Sequence, residues 1–288
     1  MRALILGITG QDGYYLAEQL LNSGHQVFGV VRRPKAWPLG AKLFAGDLLD
    51  RRSLEQALIE AEPDEVYNLA AVTSPGGAWG RPNPPDLVET TATGVVNLLN
   101  AVAAVAPDAR VVHASSSAIY DPHRYGLYGS AKRFAHDVVV GYRAHGLHVS
   151  NAVLYSHTSP RQDPRFLAPA ICRQLRAIRD GSTEKLVLTD TLGRRDWGHA
   201  ADYVQALPLI ARHDTPGDYD VATGRTWSAG DFTAVALGVL GLDWRGAVDV
   251  IQGVPAPPEH PADIGPLRDL GWKPTTTFEG MVREMALA

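Results

Sequence analysis

Short apolar runs alternate with helical periodicity through the first half of the chain. Ala3-Leu4-Ile5-Leu6-Gly7, Gln26–Val31, Leu43–Leu48, Glu65–Ala71, Arg110–Ala114 and Val149–Tyr155 are each too short to make a stable helix. Runs of this kind, apolar on both alternating positions, predict parallel strands buried on both faces. Between them, Leu16, Leu20 and Leu21, then Arg51–Glu62, Ala92–Val105 and Tyr128–His145 repeat apolar residues at helical spacing. Strand and helix in alternation predict an α/β fold, a doubly wound parallel sheet of the Rossmann type. After Tyr155 the pattern changes. Helical stretches at Arg165–Asp180, Ala201–His213 and Ala229–Leu240 are separated by loops rich in proline and arginine, with strand-like pieces at Lys185–Leu188 and Tyr219–Ala222. Residues 1–155 are therefore expected to form a dinucleotide-binding domain. Residues 156–288 are expected to form mainly a smaller C-terminal substrate-binding lobe, with segments near 194–225 returning to the sheet. A site is expected in the crevice between them.

Composition narrows the partners rather than the fold. A length of 288 residues suffices for one large domain or a domain with a smaller lobe. A net charge of −4 offers no broad basic surface for nucleic acid or membrane. Cys172, the single cysteine, excludes an intrachain disulfide framework, and the ten histidines show no metal-ligand spacing. No metal is expected. No apolar run reaches bilayer length, and Met1-Arg2 leads straight into the first strand with no signal peptide, so a cytoplasmic location is expected.

The first candidate chemistry is Gly7-Ile8-Thr9-Gly10-Gln11-Asp12-Gly13, between a strand and a helix. Glycines let a pyrophosphate approach the backbone, and the helix N-terminus points N–H groups at its oxygens. Gly7, Thr9, Gly10, Gln11, Asp12 and Gly13 are thus the expected dinucleotide cradle. The second strand ends in Arg32-Arg33, where an NAD enzyme usually holds the ribose with an acid. Guanidinium groups suit the 2′-phosphate instead, so the expected cofactor is NADP(H), with NAD the weaker candidate. Asp47 and Leu48 at the exit of the third strand, and Leu69, Ala70 and Ala71 at the exit of the fourth, are expected to border the same cofactor.

The second is Ala114-Ser115-Ser116-Ser117-Ala118-Ile119-Tyr120, followed by Tyr128 and, four residues on, Lys132. On a helix that spacing puts phenol and ammonium on one face. A free tyrosine has a pKa of about 10 and is a poor base at neutral pH. A nearby cation is expected to lower it, so that Tyr128 exchanges a proton with a sugar oxygen while Ser116 holds that oxygen.

The glycine loop, the serine-rich strand end and Tyr-x-x-x-Lys together resemble the extended, nucleotide-sugar-modifying branch of the short-chain dehydrogenase/reductases. Leu154–Arg161, Gly193–Val204, Ala222-Thr223-Gly224 and Leu270-Gly271-Trp272-Lys273-Pro274 look like segments of GDP-mannose 4,6-dehydratases. The resemblance implies an enzyme acting on a nucleotide sugar, a GDP- or dTDP-hexose, with Ser116, Tyr128 and Lys132 catalytic. It further implies that Arg195 contacts the substrate diphosphate and that Ser74, Ser117, Ser156, Arg161 and His260 line the substrate. In this superfamily the Ala92–Val105 and Tyr128–His145 helices often build a four-helix dimer interface, which implies a homodimer.

One departure bears on the reaction. The dehydratases read Ser-Thr-Ser-Glu-Leu-Tyr where this chain has Ser115-Ser116-Ser117-Ala118-Ile119-Tyr120. Their glutamate removes a proton at C5 and helps expel water from C6, and the Ala118 methyl can do neither. The expected function is hydride transfer at C4 of the hexose, of 4-ketoreductase or epimerase type, without efficient dehydration of GDP-mannose. The alternative is a dehydratase whose acid/base is displaced, with Asp121, His123 or Tyr125 as candidates. A third reading, a non-catalytic NADP-binding sensor, is disfavoured because Tyr128 and Lys132 are both present.

Overall fold

The computed structural model describes residues 1–34, 37–72, 86–251 and 259–288. In chain order the N-terminal elements are β1 (Arg2–Leu6), α1 (Gln11–Asn22), β2 (Gln26–Val31), β3 (Lys42–Ala45), α2 (Arg51–Ala61) and β4 (Glu65–Asn68). A π-helical turn, Glu89–Thr93, leads into α3 (Gly94–Val105), followed by β5 (Arg110–Ser116), a 3-10 turn (Ser117–Ile119), α4 (Gly126–Ala144) and β6 (Val149–Leu154). Next come β7 (Ser156–Thr158), α5 (Leu167–Arg179), β8 (Leu186–Leu188), β9 (Arg194–His199), α6 (Ala200–Arg212) and β10 (Asp218–Val221). The chain closes with β11 (Thr226–Ser228), α7 (Ala229–Leu240), α8 (Trp244–Ala247), β12 (Val248–Val250), α9 (Gly265–Asp269) and α10 (Phe278–Leu287).

Seven strands form one parallel sheet in the order β10-β6-β5-β4-β1-β2-β3. The order reverses between β1 and β4, the switch point outside whose carboxyl strand ends doubly wound sheets bind their ligands. In β1, Ala3 and Ile5 enter one core with Leu16, Leu20, Val204 and Leu207, while Leu4 and Leu6 enter the other with Leu54, Leu98 and Val102. Burial on both faces is what the unbroken apolar runs encode. A smaller core gathers Ile171, Leu175, Trp197, Phe232 and Met281 beyond the sheet. There β9 pairs antiparallel with β11 and parallel with β7, and β8 pairs with β12. Asp50 caps α2 by accepting from Arg52 and Ser53 N–H, and a Ser228–Asp231 capping box starts α7.

The elements after Tyr155 are interleaved with the sheet. Strand β10 lies along β6, and α6 packs against α1. Arg212 of α6 pairs with the fully buried Glu65 of β4, Nε to Oε1 2.6 Å. Among the described residues no helix is long and apolar enough to cross a membrane.

Candidate active site

The turn from β1 into α1 is shaped by contacts that only glycine permits. Gly7 has φ of +82°, and a Cβ there would lie 2.8 Å from the Ala70 nitrogen. A Cβ on Gly13 would overlap the Gly7 carbonyl oxygen and lie 2.5 Å from Ile8 Cα. The first turn of α1 is thereby pressed onto the end of β1, with Gly10 as its extended N-cap. Gln11 and Asp12 direct their side chains to β7 and the turn beyond it. Ser159 Oγ donates to Gln11 Oε1 at 2.8 Å, and His157 Nε2 lies 3.0 Å from Asp12 Oδ2. Burial alone would raise Asp12 and lower His157, but their mutual charge and hydrogen bond reverse both shifts. What Gln11 and Asp12 leave free for an anion is backbone N–H.

Arg32 and Arg33 follow β2 as exposed residues. Asp47 Oδ1 accepts from Leu49 N–H at 2.9 Å, whereas the Leu48 side chain is buried in the core under Gly94. Leu69, Ala70 and Ala71 are half-buried at the exit of β4, held in place as Asn68 Oδ1 accepts from Ala70 N–H.

Strand β5 delivers Ser116 to the same end of the sheet, and α4 lays Tyr128 and Lys132 over it. Ser116 hydrogen bonds the Tyr128 phenol. Lys132 is buried, with Nζ donating to the Ala114 carbonyl at 2.8 Å and lying 6.0 Å from the centre of the Tyr128 ring. The expected lowering of Tyr128 by Lys132 needs correction. Burial holds the phenol above the ordinary tyrosine value against the Ser116 hydrogen bond, and Tyr125 and Asp12 add to the rise. The Lys132 ammonium is turned onto the backbone carbonyl of Ala114 and does not outweigh burial. Burial draws Lys132 itself down to about 8, opposed by Asp12. The phenol therefore stands as a proton donor.

The substrate candidates divide. Ser117 and Arg195 meet around a residue the sequence reading passed over, Glu259. Ser117 Oγ donates to Glu259 Oε1 at 2.7 Å, and the Asp196 N–H donates to Oε2 at 2.9 Å. Burial raises the Glu259 pKa, while these hydrogen bonds and the charge of Arg195 oppose the rise. The carboxylate of Asp196 accepts from Tyr203 Oη and from the N–H groups of Thr223, Gly224 and Arg225, which fixes the start of β9. His260 stacks on Tyr120 at 4.3 Å, and Tyr120 Oη donates to Asp220 at 2.6 Å. Ser156 is half-buried at the start of β7. Arg161 lies over the Tyr14 ring, 3.3 Å from its centre, beside α1. Ser74 lies outside the described residues. Of the expected carboxylate substitutes, Asp121 and His123 are exposed, and Tyr125 is drawn upward first by burial and then by the charge of Glu259. Glu259 carried no sequence signal, because it stands alone in Pro257-Pro258-Glu259-His260-Pro261, where no periodicity marks a face.

A glycine-cradled strand-to-helix turn with Ser, Tyr and Lys at the end of β5 defines an enzyme of the nucleotide-sugar-modifying short-chain dehydrogenase/reductase class. The family described as GDP-mannose 4,6 dehydratase matches residues 4–285, and the chain belongs to it. GDP-mannose 4,6 dehydratase 1 of Arabidopsis thaliana is 34% identical over 319 residues, covering 98% of this chain and 88% of the relative. Two solved structures share the fold. UDP-glucose 4-epimerase of Thermus thermophilus, in complex with NAD, has a TM-score of 0.82 at 24% identity, covering 99% of this chain and 98% of the other. RMD from Pseudomonas aeruginosa, complexed with NADPH, has a TM-score of 0.83 at 21% identity, covering 100% and 98%.

Proposed function

We propose that the protein transfers hydride between NADP(H) and C4 of a nucleotide-linked hexose, as a 4-ketoreductase or a 4-epimerase does. The carrying observation is the convergence of Tyr128, Ser116 and Lys132 at one end of β5, with the buried Ala118 methyl next to them. The residues fit a nicotinamide dinucleotide: Gly7 and Gly13 leave room that a Cβ would fill, and Lys132 is a buried cation beside the phenol. Bound there, the nicotinamide would supply or accept the hydride. Tyr128 gives the carbonyl oxygen its proton, Ser116 orients that oxygen, and Arg195 pairs with the substrate diphosphate. A donor phenol suits the reductive direction. Incubation with a panel of GDP- and dTDP-hexoses and their 4-keto-6-deoxy forms, with and without NADPH, tests this reading. Consumption of NADPH or C4 epimerisation is expected, and turnover of none of them would return the protein to the sensor class. The dehydratase reading is favoured by one observation, the carboxylate of Glu259 on Ser117.

The NADP preference rests on Arg32 and Arg33. Replacing both with alanine should weaken NADP binding by about 1–3 kcal/mol and leave NAD nearly unchanged, since the lost interactions are charge-assisted hydrogen bonds to one extra phosphate. Equal calorimetric affinities for the two cofactors in the parent protein would refute the preference. The homodimer is proposed through α3 and α4, where Phe134 (51% exposed) and Val140 (38%) leave apolar surface on α4. A cytoplasmic location is proposed with it.

A further inference from the structure

Gln11 and Asp12 open α1 at the glycine turn, and the segment that begins with β7 holds both side chains. His157 Nε2 stands 3.1 Å from Asp12 Oδ1 and 3.0 Å from Oδ2, while Nδ1 stands 2.7 Å from the Tyr155 carbonyl oxygen. Both ring nitrogens therefore face acceptors. A neutral imidazole carries a single N–H and would set a lone pair against an oxygen on its other side, so the imidazolium is the form this geometry satisfies. The backbone is tied too, since Gln162 Nε2 donates to the His157 carbonyl at 3.2 Å. The side chains of His157 and Asp12 are 15% and 22% exposed, so salt screens their charges weakly. Few other polar groups face the pair. Strand β9 presents Gly198, and α6 presents the Tyr203 ring at 5.0 Å, its phenol bonded to Asp196. Gln11 donates to Asp12 Oδ1 at 3.2 Å while its own Oε1 takes the Ser159 hydroxyl. Lys132 of α4 is the further charge that bears on Asp12, and Asp12 bears in turn on Lys132 and Tyr128.

We propose that His157 is a positioning residue for the cofactor, an imidazolium that balances the Asp12 charge at the pyrophosphate cradle and ties the first turn of α1 to β7. This role rests on the reading of Gly7–Gly13 as a dinucleotide cradle. A carboxylate in the first turn suits the positive end of a helix, but it also repels an anion bound at that end. Paired with the imidazolium, Asp12 adds no net charge there. Burial would lower the His157 pKa, and the charge and hydrogen bond of Asp12 carry it above the ordinary histidine value instead. The positive charge is present below that raised value and is lost as pH climbs through it. Asp12 then stands unbalanced beside the pyrophosphate, so cofactor affinity falls as pH rises. Linkage is reciprocal: a bound cofactor raises the pH at which His157 titrates by the same factor.

The probe is ADP-ribose, which carries the pyrophosphate without the titrating 2′-phosphate of NADP. Calorimetry on the parent protein between about pH 6 and about pH 9 should show affinity falling by about 10-fold, a coupling of ordinary size. Proton NMR follows His157 directly, through the imidazole signal that disappears in His157→Gln. Its midpoint should lie above about 6.5 in the free protein and rise by about one pH unit when ADP-ribose saturates it. A pair that only docks β7 on α1 would leave that midpoint in place, and an unmoved midpoint overturns the proposal. If His157→Gln does not fold, Asp12→Asn assigns the same signal by drawing its midpoint down. Asp12→Asn also keeps the side-chain shape while removing the charge, so above about pH 8 it should bind ADP-ribose more tightly than the parent. Lys132, at about 8, is common to both proteins, and its share cancels in that comparison. Parent affinity that is flat with pH overturns the role of His157 without need of either variant, and leaves the cradle reading standing. Binding of neither ADP-ribose nor NADP at any pH removes the cradle reading and the role of His157 together.

Discussion

Tyr128→Phe should reduce turnover of a keto sugar by about two to four orders of magnitude, the usual worth of one positioned acid or base. The variant keeps the ring, so its packing against the cluster of Leu87, Ala92 and Ala131 persists. It loses the hydroxyl that Ser116 holds. Cofactor affinity, measured by fluorescence titration, should change little, which separates proton donation from binding. The pH profile adds a second check. Because Lys132 sits at about 8, its ammonium disappears above that pH, while the phenol stays protonated beyond the ordinary tyrosine range. The kcat/KM for reduction should therefore fall above pH ~8, and the residual activity of the Phe variant should fall over the same range. Near-parent turnover in Tyr128→Phe would move proton donation to Tyr125 or Tyr120.

Much of this site was legible because its parts are local in sequence. Strand, Gly7–Gly13 and α1 are consecutive, and Tyr128 and Lys132 are one helical turn apart, so periodicity places each group. The sheet was legible for a related reason: strands buried on both faces leave unbroken apolar runs. Glu259 was not legible, since its position depends on a chain that returns across 142 residues to meet Ser117. The pairing of Asp12 with His157 is of the same kind, joining the first turn of α1 to β7. The electrostatics of Tyr128 failed for a different reason. Spacing puts Lys132 on the right face, but the Ala114 carbonyl is nearer to its ammonium than the phenol is, and burial then decides the sign. Strands β7 and β11 have three residues each, and β9 opens on the polar Arg194, Arg195 and Asp196, so they leave little apolar pattern to read.

Gly13→Ala should damage the cofactor cradle, although alanine is the better helix former. Helix propensity favours the change by up to about 1 kcal/mol. Against that, the new Cβ would overlap the Gly7 carbonyl oxygen and approach Ile8 Cα to 2.5 Å. These are backbone atoms at the end of a buried strand and cannot swing aside, so α1 itself must shift. Overpacking of this kind costs about 1–3 kcal/mol and occasionally more. Displacing α1 also moves the N–H groups that the pyrophosphate needs, so NADP affinity should fall by about 100-fold or more, roughly 2.7 kcal/mol, with most of the activity at subsaturating cofactor. Gly141 is the control. It lies in α4 with nothing within 4 Å of an added Cβ, and its exposed helical position should gain about 0.5–1 kcal/mol from alanine. Thermal melting and calorimetric titration of the two variants should therefore give opposite signs in stability and a cofactor defect in Gly13→Ala alone. Parent-like NADP binding in Gly13→Ala would mean that the contact between α1 and β1 does not form the cradle.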